Sequence, residues 1–255
     1  MRTLLAVIAL LLAAGPRGVH AQTDAVPSPL LLTTMPPPAR GRIVTSLDLG
    51  YNERAFEPVA GERLEPQVSV LVPFSSAVAV MAQLGVASTL DGRTRVAQQG
   101  EVLITPVRHG ALSVAGGFGA RHEYGGTMVA TARLVGARTT ERSAVAAGVL
   151  LEHPYAAGRD ALDLITNLGA SHALTSTLWL GVEAVGSDLE GLWDSAEAEG
   201  GATLFVGPTL AFSPTGSWRL VVGGGPVLRT TSSTAAPSAD RRSGYVLRTS
   251  VRLGW

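Results

Sequence analysis

The sequence predicts an all-β fold: a closed antiparallel transmembrane β-barrel of about 12 strands, wound as an up-and-down meander. Three observations carry this. From Arg42 onward, about twelve segments of roughly 10 residues alternate in polarity, which is the length and period of a tilted membrane strand. The connections between them alternate between short and long. In the closing stretch YVLRTSVRLGW, Tyr245, Leu247, Thr249, Val251, Leu253 and Trp255 share one face of an extended strand, and Val246, Arg248, Ser250, Arg252 and Gly254 share the other. One face is apolar, the other carries two arginines, and an aromatic residue stands last.

At the N-terminus, Arg2 precedes an apolar run over residues 4–14. Gly15 and Pro16 break the run, and Val19-His20-Ala21 precedes Gln22. This is the pattern of a secretory signal peptide over residues 1–21, and the run is too short for a membrane helix, which needs about 20 apolar residues. No cysteine follows, so lipoprotein anchoring is excluded. Residues 22–41 contain Pro27, Pro29, Pro36, Pro37 and Pro38 and read as an extended periplasmic linker that cannot enter a sheet centre. Residues 42–255 are left for the barrel.

The expected strands are 42–52, 65–73, 77–88, 98–107, 111–121, 127–138, 142–152, 161–171, 175–186, 202–212, 217–229 and 243–254. Ten strands is the alternative count, should the hairpin at 65–88 be misread. Connections 74–76, 108–110, 139–141, 172–174 and 213–216 are tiny. Connections 54–64, 89–97, 153–160, 187–200 and 230–242 are longer, with 122–126 a short exception. Membrane barrels have short periplasmic turns and longer outside loops. An even strand count then places both termini in the periplasm.

The alternation also assigns faces. In 202–212, Leu204, Val206, Leu210 and Phe212 point one way and Thr203, Phe205, Gly207 and Thr209 the other. In 175–186, Leu178, Leu180 and Val182 point out, leaving Trp179 and Glu183 inside. Applied throughout, the rule turns Asp48, Gln83, Glu101, Arg121, Arg133, Glu152, Asp163, Glu183, Arg219, Arg229, Arg248 and Arg252 inward. The outer face then receives essentially no charge, as it must, because Arg facing lipid at mid-depth costs about 2–4 kcal/mol. The inward charges are nearly balanced. They are expected to brace the interior in pairs; the other use of such a set is a selectivity constriction for a small solute. A barrel of this size is expected to have a narrow or partly plugged lumen. Phe74, Phe212, Trp218 and Trp255 gather at one rim and Tyr51, Tyr155 and Tyr245 at the other, like sparse aromatic girdles. Where the sheet closes, the first and last strands are expected to pair around a residue-number sum near 296, with Asp48 opposite Arg248 and Arg252 as the fallback partner.

Composition removes several function classes. There is no Cys, so neither disulfides nor thiolate chemistry. All twenty basic residues are Arg, and without Lys neither a phosphate-binding P-loop nor a Schiff-base enzyme can be built. Loss of Arg2 and Arg17 with the signal peptide leaves 18 Arg against 20 acids. No basic patch points to nucleic acid. The histidines, His20, His109, His122, His153 and His172, have no ligand spacing. Ser171-His172 is the only adjacent Ser/His pair, and adjacent strand residues point apart. Gly116-Gly117-Phe118-Gly119 is followed by no helix pattern and reads as strand. The acidic residues Asp188, Glu190, Asp194, Glu197 and Glu199 read as a solvated loop, without the spacing of an EF-hand. No catalytic, metal or cofactor site is expected, and no enzymatic activity.

The last strand resembles the closing strand of Gram-negative outer-membrane β-barrels. The resemblance implies that Trp255, with Tyr245, Leu247, Val251 and Leu253, forms the signal read by the barrel assembly machinery. It also implies periplasmic chaperones and outer-membrane lipid as partners. With ARGRIVTSLDLGYNE and FVGPTLAFSPTGSWRLVVGGGPVLR, the pattern from Pro36 to Trp255 is similar to outer-membrane barrels labelled as phenol-degradation (meta-pathway) or transporter-like proteins. That resemblance implies passive uptake of small, often apolar molecules and carries over no site residue. The expected function is a passive outer-membrane channel for small solutes, apolar ones included, or a structural barrel. The rivals are an outer-membrane lipid-modifying enzyme and a secreted soluble ligand-binding barrel.

Overall fold

The computed structural model describes residues 43–53, 63–88, 94–156, 162–187, 189, 202–215, 217–229 and 244–254, with the side chains of 51–53, 63, 88, 108 and 229 outside that description. Residues 1–42, where a signal peptide and a linker are expected, and Trp255 lie outside the described residues, as do most of the longer connections.

Twelve strands alternate along the chain: β1 (Val44–Glu53), β2 (Arg63–Pro73), β3 (Val78–Ser88), β4 (Thr94–His109), β5 (Leu112–His122), β6 (Met128–Thr139), β7 (Ser143–Pro154), β8 (Asp163–Ala173), β9 (Leu178–Ser187), β10 (Thr203–Thr215), β11 (Trp218–Arg229) and β12 (Gly244–Gly254). Each pairs antiparallel with its sequence neighbours, and β1 pairs with β12, so the sheet closes into a barrel without an edge. Closure gives every wall strand two neighbours, which satisfies the backbone where no water competes.

The alternation in sequence becomes two surfaces. On β10, Phe205, Thr209 and Ala211 are buried inside, while Val206 and Leu210 are exposed outside. Leu49, Leu84, Leu134, Leu180 and Leu247 continue the apolar outer band around the wall. Phe212 and Trp218 meet edge to face, with ring centroids 6.0 Å apart, beside the β10–β11 turn. Tyr155 and Tyr245 are exposed toward the opposite rim.

Short connections join β2–β3, β4–β5, β6–β7, β8–β9 and β10–β11 at one end. Three share one device, a hydroxyl that accepts the amide of the residue opening the next strand: Val78 to Ser75 at 3.0 Å, Ser143 to Thr140 at 3.0 Å and Leu178 to Thr175 at 3.0 Å. The β4–β5 turn instead uses Gly110 at φ +55°, a conformation that a side chain would strain.

Two strands are longer than their polarity suggests. β4 begins at Thr94, because Thr94–Ala97 pair with Gly85–Ser88. The residues Thr94, Arg95 and Val96 are all exposed, so alternation is lost there. β10 runs on to Thr215 past an irregularity between Phe212 and Thr215.

Candidate functional site in the barrel interior

The interior is layered rather than uniformly polar. Val44, Leu71, Ala79, Met81 and Leu103 cluster on β1–β4 toward the short-turn end. Val185, Phe205, Val227 and Val246, with Ile165, cluster on β8–β12 toward the other end. Trp179, Ala211 and Val221 form a smaller apolar patch. The charges occupy the remaining wall.

Glu101 on β4 and Arg133 on β6 form an ion pair that passes over β5. Glu101 stands opposite Gly119, and Arg133 stands opposite Gly117. A Cβ at Gly117 would run into Glu101, Leu103 and Arg133, so glycine there is what leaves room for the bridge. Gln99 donates to Glu101 at 3.3 Å.

Nearer the long-loop end, Arg121 on β5 reaches over β6 to hold Glu152 with two bonds of 2.7 Å, and it also holds Glu123 at 2.9 Å. This fork-to-fork geometry is the strong form of the pair. Glu123 belongs to the turn between β5 and β6, which folds inward. Glu123 and Tyr124 are both buried, and the Tyr124 hydroxyl lies where a side chain on Gly85 of β3 would stand. Asp163, the first residue of β8, stands directly opposite Glu152.

Around the closing seam, Ser46 donates to Asp48 at 2.7 Å and meets Ser69 at 2.6 Å. Gln83 donates to Gln67 at 2.6 Å, and Thr209 donates to Glu183 at 2.8 Å. Arg252 donates to Ser250 at 3.3 Å and lies in electrostatic reach of Asp48 and Glu183. Arg219 stands directly opposite Arg252. Arg248 is buried with its Nε against Gly50, and it has no hydrogen bond or ion pair among the described residues.

The structure therefore brings Glu101 to Arg133, Arg121 to Glu152, and Asp48 and Glu183 to Arg252. It does not bring Asp48 to Arg248. The β1–β12 register sums to 298, so Asp48 faces Ser250, while Arg248 faces Gly50 and Arg252 faces Ser46. The slide is two residues. Polarity alternation cannot detect it, because a two-residue slide leaves every side chain on its proper face. Arg229 ends β11, with its side chain outside the described residues. Of the terminal aromatic stripe, Tyr245 and Leu247 are exposed, Val251 and Leu253 are half-buried, and Trp255 is not described.

Sequence reasoning missed three interior residues. Glu65 is buried on the same face of β2 as Gln67, and parity alone would have found it. Glu123 and Tyr124 sit in a turn, where parity has no meaning. On the outer wall, sequence reasoning also missed that Ser143 and His172 are cross-strand partners, with Oγ 2.9 Å from Nδ1 at the short-turn rim. Among the described residues no carboxylate is shown orienting this histidine, and no three His, Asp or Glu residues converge as a metal-binding group.

No protein-family model matches the chain, and no curated protein matches it. Solved structures do. The barrel is similar to the KdgM porin, with a TM-score of 0.56 at 10% identity over 82% of this chain and 98% of that one. It is equally similar to the KdgM porin in complex with disordered oligogalacturonate. The NanC porin gives a TM-score of 0.57 at 11% identity, again over 82% of this chain and 98% of that one. The chain thus has the closed antiparallel twelve-strand fold, and its structural neighbours are porins.

Proposed function

We propose that the protein is a passive channel for small solutes in the outer membrane of a Gram-negative cell, with the short turns in the periplasm. One observation supports this most: a closed wall whose outer face is apolar around the barrel and whose inner face holds the Glu101–Arg133 and Arg121–Glu152 ion pairs. A soluble ligand-binding barrel would carry polar side chains where Leu49, Leu134, Leu180 and Leu247 stand exposed. Residues 1–21 as an export signal, and the stripe from Tyr245 to Trp255 read by the assembly machinery, belong to the same reading.

The solute is small and uncharged or amphipathic. Among the described side chains, the buried or half-buried charges of the inner face are the acids Asp48, Glu65, Glu101, Glu123, Glu152, Asp163 and Glu183 and the bases Arg121, Arg133, Arg219, Arg248 and Arg252, while Arg63 and Arg229 share that face by parity. Toward the long-loop end, Glu123 of the β5–β6 turn, Glu152 of β7 and Asp163 of β8 lie at the level of the apolar cluster around Phe205. Toward the short-turn end, arginines on β11 and β12 face the apolar cluster around Met81. A solute with one apolar and one polar side suits such a passage, which agrees with the resemblance to barrels labelled for phenol degradation.

Single-channel recording in planar bilayers, with swelling of liposomes in small sugars and phenols, tests the proposal. Discrete conductance steps and solute-dependent swelling are expected. A folded, heat-modifiable barrel that gives neither refutes it.

A further inference from the structure

Arg121, Arg133 and Arg252 each bond to another inner-face side chain. Arg248, in the middle of β12, does not. It is only 7% exposed, and among the described residues it has no hydrogen bond or ion pair. The acids along the wall bond elsewhere: Asp48 accepts from Ser46 at 2.7 Å, and Glu183 accepts from Thr209 at 2.8 Å. Glu65 stands across Gly50 from Arg248, and no bond joins the two. A buried guanidinium without a partner is costly, so bracing of the wall does not account for Arg248.

Glycine surrounds this side chain. Gly50 of β1 and Gly223 of β11 are its direct cross-strand partners. Gly225 and Gly207 continue the same inner face on β11 and β10. Arg248 leans toward β1, with Nε and Cζ 3.3 and 3.5 Å from where a Cβ on Gly50 would stand. On the other side, the ring of Phe205 lies over Gly207, with Cζ 2.9 Å from the matching point. Gly223 and Gly225 lie between the two side chains, so the floor between a cation and an aromatic ring is bare backbone. Val227 and Val246 join Phe205 in one apolar cluster. Val246 and Arg248 share a face two residues apart, about 7 Å along the strand.

We infer that Arg248 and the Phe205 cluster form a binding site in the lumen for a small carboxylate with an apolar body, an aromatic or short-chain acid. The inference rests on the channel reading above and names the polar group of the solute. A guanidinium is a planar fork that matches a carboxylate with two parallel bonds. The bare floor lets a flat ring lie against the wall, and Phe205, Val227 and Val246 cover its apolar end. A neutral ligand leaves the guanidinium unpaired, and acetate leaves the apolar cluster uncovered.

The probe is benzoate, with benzamide and acetate as controls. Binding to the refolded wild-type barrel in detergent is measured by calorimetry, and block of the single-channel current in planar bilayers by titration. Benzoate should bind saturably and at least about tenfold tighter than either control, because a charge-assisted bidentate pair and the apolar contact are both required. Arg248→Gln should weaken benzoate binding at least about tenfold. Arg248→Lys keeps the charge and loses the fork. It should weaken benzoate several-fold, and it carries the test if Arg248→Gln does not fold. A conducting barrel that binds benzoate no better than benzamide or acetate overturns the site and leaves the channel standing. Undiminished benzoate binding in both Arg248 variants overturns it too. Benzoate binding without any conductance keeps the site and overturns the channel.

Discussion

Arg133 on β6 passes over Gly117 of β5 to close an ion pair with Glu101 on β4, two strands away. The partners lie on strands that do not touch, so the pair ties a stretch of wall together as no cross-strand contact can. Both side chains are shielded, at 7% and 0% exposure. Removing one leaves the other as a buried charge. Glu101→Leu or Arg133→Met should each cost about 3–5 kcal/mol, and the two together should cost much less. Urea unfolding of the barrel in lipid bilayers measures this. Gly117→Val should destabilise strongly, since its Cβ would collide with the pair. Gly116→Val is the control, because its Cβ would meet only the Arg133 carbonyl oxygen at 3.6 Å.

Tyr124 should narrow the passage at the long-loop end. Its ring leaves the β5–β6 turn, crosses to β3 and sets its hydroxyl against Gly85. Tyr124→Ala should therefore raise single-channel conductance. Gly85→Ala should raise it too, because the added Cβ takes the place of the hydroxyl and pushes the ring aside. Unchanged conductance in both variants would show that the ring stands clear of the conducting path.

Strand number and strand order were legible because one rule governs them: a period of two, with lipid on one side. What the rule cannot see was lost. It could not find the four residues Thr94–Ala97 by which β4 begins early, of which Thr94, Arg95 and Val96 are all exposed. It gave no parity to Glu123 and Tyr124, which lie in a turn. Nor could it fix the seam register, where a slide of two preserves every face and moves Asp48 from Arg248 to Ser250. Ion pairs that skip a strand, such as Glu101–Arg133, were also hidden, because they depend on the glycine between them.

The seam register has its own test. Leu47 and Val251 are direct partners on the outer face of β1 and β12, whereas a sum of 296 would pair Leu47 with Thr249. Directly opposite residues hold their Cβ atoms about 4.5–5.5 Å apart, close to disulfide range, and diagonal ones about 7–8 Å. In this cysteine-free chain, Leu47→Cys with Val251→Cys should cross-link efficiently under mild oxidation, and Leu47→Cys with Thr249→Cys poorly. A shift in gel migration reads both. A double-mutant cycle should also show coupling of at least about 0.5 kcal/mol between Asp48 and Arg252, and less between Asp48 and Arg248.

Trp255 is expected to matter for assembly rather than for the finished wall. β12 ends at Gly254, and its pairing with β1 runs from Tyr245 to Gly254, so the closing hydrogen bonds do not require the final side chain. An effect of its loss on stability should therefore be small. If the terminal stripe is instead a signal, Trp255→Ser should act before folding. Barrel abundance in outer membranes should fall several-fold while unfolded protein reaches the periplasm and is degraded. The same variant, refolded from urea into detergent, should show normal heat-modifiable migration. Equal abundance in cells would remove the signal role, and failure to refold from urea would make Trp255 a structural residue.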